Sequence, residues 1–249
     1  WFSPPVYGLK TYGELFTSCQ LVALTTFSDL VSEARDRVLQ DLEGTQDGYD
    51  SGYADAVAMY LAQFLSRMTD LNNNLCQWRS DPAKEHVGHL FARQAISMIW
   101  DFAEANPLGP SAGGWDKTFI FIPKVLDELK LFSKEGYVSQ ISATEGKESS
   151  YLIFSTDPPY YDNVPYADLS DFFYVWLRAS LRSIYPQLFG TLLVPKAAEL
   201  VAEPFRHGGR EAAQRFFEEG LFKVFQRIRT AQNPSYPLTV YYAFKQAEN

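Results

Sequence analysis

The sequence predicts an α/β fold in which a helical block precedes a partly parallel sheet, and two observations support this prediction. Apolar residues recur at helical spacing through much of residues 1–105. Beyond residue 106, helical segments alternate with short apolar or β-branched runs, which is the order typical of a parallel sheet with crossover connections. We therefore predict a helical block, residues 1–105, and an α/β part, residues 106–249.

Periodicity places the helices of the first block. Apolar positions three and four residues apart predict helices over residues 11–42, with one break, over 57–78 and over 87–102. The acidic segment 43–51, which contains Gly44 and Gly48, is predicted to be a loop. The first 105 residues are thus expected to be entirely helical.

The second part begins after a loop at residues 106–115 that is rich in proline and glycine. Its predicted helices span residues 119–132, 167–184 and 211–231. Its predicted strands span residues 137–141, 151–155 and 238–244, and the strand at 151–155 is expected to be buried. Strands alternating with helices in this order favour parallel pairing.

Composition limits the class of protein. Of the 249 residues, 46% are apolar and 21% are charged, which excludes a disordered chain. No apolar run approaches the ~18 residues of a membrane span, so no membrane partner is expected. Two cysteines cannot form a zinc ribbon, and no secretory leader is visible, so we expect a cytoplasmic protein.

The net charge of −8 is unevenly distributed. Residues 1–150 contain 20 Asp and Glu against 12 Lys and Arg, whereas residues 151–249 contain 10 of each. Because phosphate neutralisation supplies much of the affinity for nucleic acids, the neutral second part is the better candidate for a DNA-binding face.

The tetrapeptide Asp157-Pro158-Pro159-Tyr160 directly follows the predicted strand 151–155. In open α/β sheets, ligands bind beyond the carboxyl ends of the strands. Two prolines fix the backbone and remove two N–H donors, so the loop presents an array of acceptors. A carboxylate, a fixed carbonyl and an aromatic ring suit a planar base with an exocyclic amino group, which Asp157 and Pro158 would bind and Tyr160 would stack on. A rigid turn that caps a strand is the alternative interpretation.

The run from Thr156 to Arg178, TDPPYYDNVPYADLSDFFYVWLR, resembles the large adenine-specific DNA methylases of bacteria and archaea that carry a zinc-ribbon insertion. Further resemblance lies in the segments WFSPPVYGL at residues 1–9, QLVALTTFSDL at 20–30, WDFAE at 100–104, FRHGG at 205–209 and 236–246. The resemblance implies a partial Rossmann-like methyltransferase sheet with a large helical block on its N-terminal side. It also implies N6 methylation of adenine in DNA by S-adenosylmethionine, with Asp157, Pro158, Pro159 and Tyr160 as the catalytic motif, and it requires no metal.

The cofactor site is where the chain departs from this family. A Gly-rich loop after a first strand, followed by an acidic residue, is not found, and the segment 107–114 follows a predicted helix instead of a strand. We therefore expect the main S-adenosylmethionine loop to lie outside this chain, which starts at Trp1. Phe16 and Thr17 resemble the family's Phe-Thr-Pro cofactor contact, although Ser18 replaces the proline. An ordinary helix N-terminus capped by Thr17 or Ser18 is the alternative.

Other polar residues near the tetrapeptide are candidates for DNA contact. Tyr161, Asp162 and Asn163 follow the catalytic motif and are candidates for contacting the base, with a solvated turn as the alternative for the last two. Arg206, His207 and Arg210 surround two glycines in a predicted loop that suits phosphate binding. Solvation of a helix start is the alternative for this basic loop.

The sequence thus predicts the catalytic part of a DNA adenine N6-methyltransferase, with DNA as substrate and other subunits of a modification or defence system as possible partners. A non-catalytic DNA-recognition or assembly module of a restriction or phage-defence complex is the alternative from another class. Methylation of an amino group on RNA or protein is a third possibility. The isolated chain is expected to be inactive because the cofactor loop is not found in it.

Overall fold

The computed structural model describes residues 2–43, 51–82, 84–129, 136–145, 151–161 and 164–242. Over these residues the fold is mixed α/β, about half helical, with two small sheets. It divides into two compact units. Unit 1 comprises residues 1–133 and 168–194, and unit 2 comprises residues 134–167 and 195–249. The predicted division at residue 105 stays a prediction.

Unit 1 is built on two long helices, α1 (Ser18–Leu42) and α2 (Ser51–Leu71). The prediction of a helix over residues 11–42 is confirmed for Ser18–Leu42, and a separate 3-10 helix at Tyr12–Leu15 precedes α1. One core cluster joins both helices through Val31, Ala58 and Ala62, each less than 5% exposed, together with Leu181.

Helix α2 ends at Leu71, seven residues before the predicted end at 78. The side-chain amides of Asn72 and Asn73 donate to the carbonyl oxygens of Met68 and Thr69 at 2.9 and 2.8 Å. Both asparagines are buried, so their side-chain amides find acceptors in the last turn of the helix. The predicted loop at residues 43–51 lies almost entirely outside the described residues.

The prediction that residues 1–105 are all helical is wrong. Strands β1 (Trp78–Asp81) and β2 (Lys84–Val87) form an antiparallel hairpin in register Trp78 to Val87. The predicted helix at 87–102 is only a 3-10 turn at Leu90–Ala92 followed by irregular chain. Its apolar residues are buried singly, Ile96 at 1% exposure while Phe102 remains 41% exposed, so the helical spacing does not describe one continuous face.

Helix α5 (Tyr166–Leu181) confirms the prediction of a helix over 167–184 to within a few residues. Its apolar face places Phe172, which is fully buried, against Phe16 with the ring centroids 5.8 Å apart. Helices α3 (Trp115–Phe119) and α4 (Phe121–Glu128) cover the described part of the predicted helix 119–132, with a break at Ile120. Residues 130–132 lie outside the described residues.

Unit 2 contains a two-stranded parallel sheet of β3 (Ser155–Thr156) and β4 (Thr239–Val240), extended by a bridge between Leu152 and Gln232. Parallel pairing was predicted and is found here. The described residues contain no Rossmann-like sheet, so of the predicted fold class only the mixed α/β character is confirmed. Helices α6 (Pro204–His207) and α7 (Arg210–Ala231) connect the strands, and α7 matches the predicted helix 211–231.

The predicted strands are shorter than expected. The segment 137–141 has no regular structure, and the buried strand at 151–155 is wrong because Tyr151 and Ile153 are 74% and 63% exposed. Tyr151 has a left-handed φ of 65°, which interrupts an extended strand. Of the predicted strand 238–244, only β4 forms ladder pairs, and residues 243 and 244 lie outside the described residues.

The two cysteines are free and differ in environment. Cys19 is exposed, whereas Cys76 is fully buried, and this burial raises the pKa of the Cys76 thiol to about 11. At about pH 8 the Cys76 thiol is therefore almost wholly protonated. Since only the thiolate reacts, both its burial and its protonation protect it from thiol reagents.

We expect a thiol reagent such as dithionitrobenzoate to modify Cys19 alone in the folded chain and both cysteines after unfolding in guanidinium. The Cys19→Ser variant is the matched control, since it should release no thionitrobenzoate until it is unfolded. Rapid reaction of Cys76 in the folded Cys19→Ser variant would contradict the burial.

In the described part of the chain, every helix is too short or too polar to cross a lipid bilayer.

Candidate active site

The tetrapeptide Asp157 to Tyr160 begins where strand β3 ends. The carbonyl oxygen of Thr156 accepts a hydrogen bond from Tyr241 N at 2.8 Å, and that of Phe154 accepts one from Thr239 N at 3.1 Å. Because β3 and β4 are parallel, the residues that follow them emerge at the same edge of the sheet. The predicted place of the tetrapeptide after a strand thus agrees with the structure, although the strand is short.

The end of β4 supplies a second aromatic ring to this edge. The rings of Tyr160 and Tyr242 meet edge to face, with centroids 5.4 Å apart and planes at 80°. Such a contact fixes the direction of both rings. Asp157 is exposed, whereas Pro158, Pro159 and Tyr160 are partly buried. The carboxylate therefore faces solvent near the rings of Tyr160 and Tyr242.

Tyr166, the first residue of α5, lies close to Asp157 and Tyr160. Loss of solvent raises the pKa of Tyr166, and the neighbouring Tyr160, Asp157 and Glu199 raise it further. Its phenol therefore stays protonated at neutral pH and keeps an O–H donor near the Asp157 carboxylate.

Glu199 holds the start of α5 in place. Its Oε1 accepts a hydrogen bond from Ala167 N at 2.9 Å, where an acidic group is favourable at a helix N-terminus. Its Oε2 pairs with Arg206 Nη1 at 2.6 Å, and both side chains are less than a fifth exposed. Glu199 thereby links the first turn of α5, which contains Tyr166, to α6.

The other residues predicted to contact DNA differ in their surroundings. The Tyr161 ring packs edge to face on Phe217, with centroids 5.3 Å apart, in a small core cluster with Ala202 and Ala213. The carbonyl oxygen of Tyr161 accepts a hydrogen bond from Ala202 N at 2.7 Å. Tyr161 therefore contributes packing in unit 2. Asp162 and Asn163 lie outside the described residues.

The basic loop predicted at 206–210 is shorter in the structure. Arg206 and His207 belong to helix α6, so the loop reduces to Gly208 and Gly209, whose φ values of 75° and 137° favour glycine. Arg206 is committed to Glu199, and the His207 ring stacks on Phe216 at 4.1 Å. Arg210, at the start of α7, is exposed. The phosphate-binding role of these three residues stays a prediction.

Phe16 and Thr17 lie in unit 1, and the structure gives both of them a structural role. Phe16 is 6% exposed and packs between Phe172 and Trp176. Thr17 is the N-cap of α1, since its Oγ1 accepts a hydrogen bond from Gln20 N at 3.2 Å while Gln20 Oε1 accepts one from Thr17 N at 2.8 Å. The alternative of a capped helix N-terminus is therefore confirmed, and the cofactor contact stays a prediction.

The glycines at 109–114 do not fit a cradle for S-adenosylmethionine. The N–H groups of Gly109 and Gly114 donate to Asn106 O and Ser111 O, so they are not available to a ligand. A Cβ on Gly114 would lie 1.9 Å from Gly109 O, which shows that glycine is needed here for the loop to close on itself. The segment also follows irregular chain and not a strand. In the part of the chain described, this loop therefore supplies no methionine-binding site.

Three residues of the site were not predicted: Tyr166, Glu199 and Tyr242. The rule that parallel strands end at one edge would have identified Tyr242, because its strand had been predicted. Tyr166 lies inside the quoted run from Thr156 to Arg178 but has no pattern of its own. No sequence signal indicates Glu199, which lies in irregular chain between helices.

Within the described residues, no group of three or more His, Cys, Asp or Glu side chains is arranged to hold a metal ion. Comparisons with protein-family models, with curated proteins and with solved structures find no match for this chain.

Proposed function

We propose that this chain carries the base-binding loop of a DNA adenine N6-methyltransferase that uses S-adenosylmethionine. The observation that supports this proposal is the position of Asp157 to Tyr160 at the carboxyl edge of a parallel strand pair, with Tyr160 held against Tyr242. A carboxylate, proline carbonyls without neighbouring N–H donors and an oriented aromatic ring meet there.

The acceptors of this loop match the donors of an adenine. The exocyclic amino group has two N–H bonds, which the Asp157 carboxylate and the Pro158 carbonyl oxygen can accept. An amino nitrogen held by such acceptors is drawn toward tetrahedral geometry, which makes its lone pair more nucleophilic.

The substrate must leave the base stack to reach this loop. An adenine inside a duplex hides its amino group in a base pair, so the base is flipped out before it meets Asp157. The aromatic ring of Tyr160 offers a stacking surface for the flipped base, and base-aromatic stacking contributes about 1 to 3 kcal/mol.

The cofactor is proposed to be held largely by residues other than those described, because the glycines at 109–114 are committed to their own loop. S-adenosylmethionine supplies the methyl group of the reaction. We also propose that the protein acts together with other subunits of a modification or defence system.

The test is an assay of the complete protein with duplex DNA and S-adenosylmethionine labelled in its methyl group. We expect label in N6-methyladenine after digestion of the DNA to nucleosides. Label in N4-methylcytosine would overturn the choice of base. DNA binding without any methyl transfer would favour the non-catalytic recognition module, and competition by RNA or protein alone would favour the third class of substrate.

A further inference from the structure

Unit 1 contains a polar cavity of about 320 Å³ beside the β1–β2 hairpin. Its polar lining comes from side chains that bear positive charge or hydrogen-bonding groups, namely Gln77, Arg79, His89, Arg93 and Ser97. Leucine, alanine, methionine and isoleucine form the rest of the wall, and no described carboxylate lines it. This is a cationic cavity in a chain whose net charge is −8.

His89 lies next to a buried carboxylate behind the cavity. Asp70 is 3% exposed, and its Oδ2 lies 3.2 Å from His89 Nδ1. This is a close contact and not an aligned hydrogen bond, since Nδ1 has no hydrogen-bond partner by geometry. With Nδ1 turned toward Asp70, Nε2 on the opposite side of the ring is the polar atom left for the cavity.

Asp70 is itself fixed by two further contacts. Its Oδ1 accepts a hydrogen bond from Phe91 N at 2.9 Å, and its Oδ2 pairs with Arg67 Nη1 at 2.9 Å. The carboxylate thus joins the end of α2 to the chain that lines the cavity. A buried acid held by two contacts thus lies beside His89 at the back of the cavity.

Arg79 is positioned by the hairpin. A Cβ on Gly88 would lie 2.5 Å from Arg79 Nε, so the guanidinium stem crosses directly over this glycine. Gly88 N donates to Gln77 O at 2.7 Å, which fixes the glycine beside β1. The absence of a side chain at Gly88 therefore allows Arg79 to reach its place in the cavity wall.

The two arginines of the cavity are not paired with acids in the described part of the chain. Arg35, Arg67 and Arg206 each pair with an Asp or Glu, whereas Arg79 and Arg93 pair with no carboxylate among the described residues. Two guanidinium groups that share one cavity without a counter-ion repel each other and attract an anion.

We propose that this cavity binds a phosphate group through Arg79, Arg93 and His89. The planar fork of arginine matches phosphate oxygens in pairs, and the serine and glutamine side chains add neutral donors. The volume is at the lower end of small-molecule sites, which suits one phosphate with a small substituent. The proposal does not depend on the function of Asp157, because its residues all lie in unit 1.

The primary test is calorimetric titration of the whole chain with inorganic phosphate. We expect saturable binding that is weakened about tenfold or more by Arg93→Gln and that is partly restored in Arg93→Lys. Gly88→Ala, which leaves every charge in place but displaces Arg79, should also weaken it. Arg215→Gln, an exposed arginine of α7, is the control that removes the same charge elsewhere. Thermal melts verify that each variant is folded.

The source of the phosphate is distinguished by two further probes, adenosine monophosphate and a fluorescently labelled DNA duplex. Loss of duplex binding in Arg93→Gln identifies a phosphate of the DNA backbone. Loss of adenosine monophosphate binding with unchanged duplex binding identifies a free nucleotide. Absence of saturable phosphate binding by the unaltered chain, or equal affinities of Arg93→Gln and Arg215→Gln, would overturn the proposal. Phosphate binding is measured without methyl transfer, so failure of the phosphate proposal can be distinguished from failure of the proposed methyltransferase function.

Discussion

Replacing Asp157 with alanine is expected to reduce methyl transfer to adenine in DNA by at least about a hundredfold. The change removes the charged acceptor at the carboxyl end of β3, and loss of one oriented polar group of this kind costs about 10²- to 10³-fold in rate. Because Asp157 is exposed, its removal leaves no cavity, and the melting temperature should be unchanged. The measurement is label incorporation by the complete protein under conditions that saturate it with DNA.

Two variants make this result specific. Asp157→Asn retains an acceptor oxygen without the charge and should retain more activity than Asp157→Ala. Asp101→Ala removes an exposed carboxylate from irregular chain in unit 1 and should have the activity of the unaltered protein. If Asp157→Ala and Asp101→Ala transferred methyl groups at the same rate, the tetrapeptide would be a structural turn, as the alternative interpretation holds.

Helices α5 and α7 could be predicted because their apolar faces are long. Helices α5 and α7 each bury residues three or four positions apart, which is the spacing that the sequence displays. The β1–β2 hairpin could not be predicted in this way, since all four residues of β1 are exposed and carry no alternation. A sequence specifies the register of a strand strongly only where one face is buried, and β1 has no buried face.

The same contrast applies to the candidate site. Asp157 to Tyr160 could be located because proline pairs and a preceding apolar run are visible in the sequence. Glu199 could not, because its role depends on Ala167 N and Arg206, which the fold brings to it from two helices. The sequence also predicts cofactor contact for Phe16 from a local motif, while the structure shows a ring buried between α5 residues. A short local motif cannot predict long-range packing of this kind.

Phe172→Ala is expected to lower the free energy of unfolding by about 3 to 5 kcal/mol, the usual range for removal of a buried phenylalanine. Phe172 is fully buried, and its ring contacts those of Phe16, Phe91 and Phe173 at centroid distances of 5.8, 5.4 and 5.1 Å. Truncation leaves a cavity that these rigid rings cannot fill. Guanidinium unfolding followed by circular dichroism measures the change, and Phe222→Ala, at a residue that is 62% exposed, is the control expected to cost much less.

A double-mutant cycle tests whether Phe16 stabilises this aromatic cluster. If its ring packs on Phe172, Phe16→Ala should destabilise the chain, and its effect should be smaller in a Phe172→Ala background. The expected coupling is about 0.5 to 1.5 kcal/mol, because the stacked pair is lost once and not twice. Strictly additive effects would show that the two rings do not stabilise each other. Since Phe16 is only 6% exposed, a contact between its ring and a cofactor would require this cluster to open.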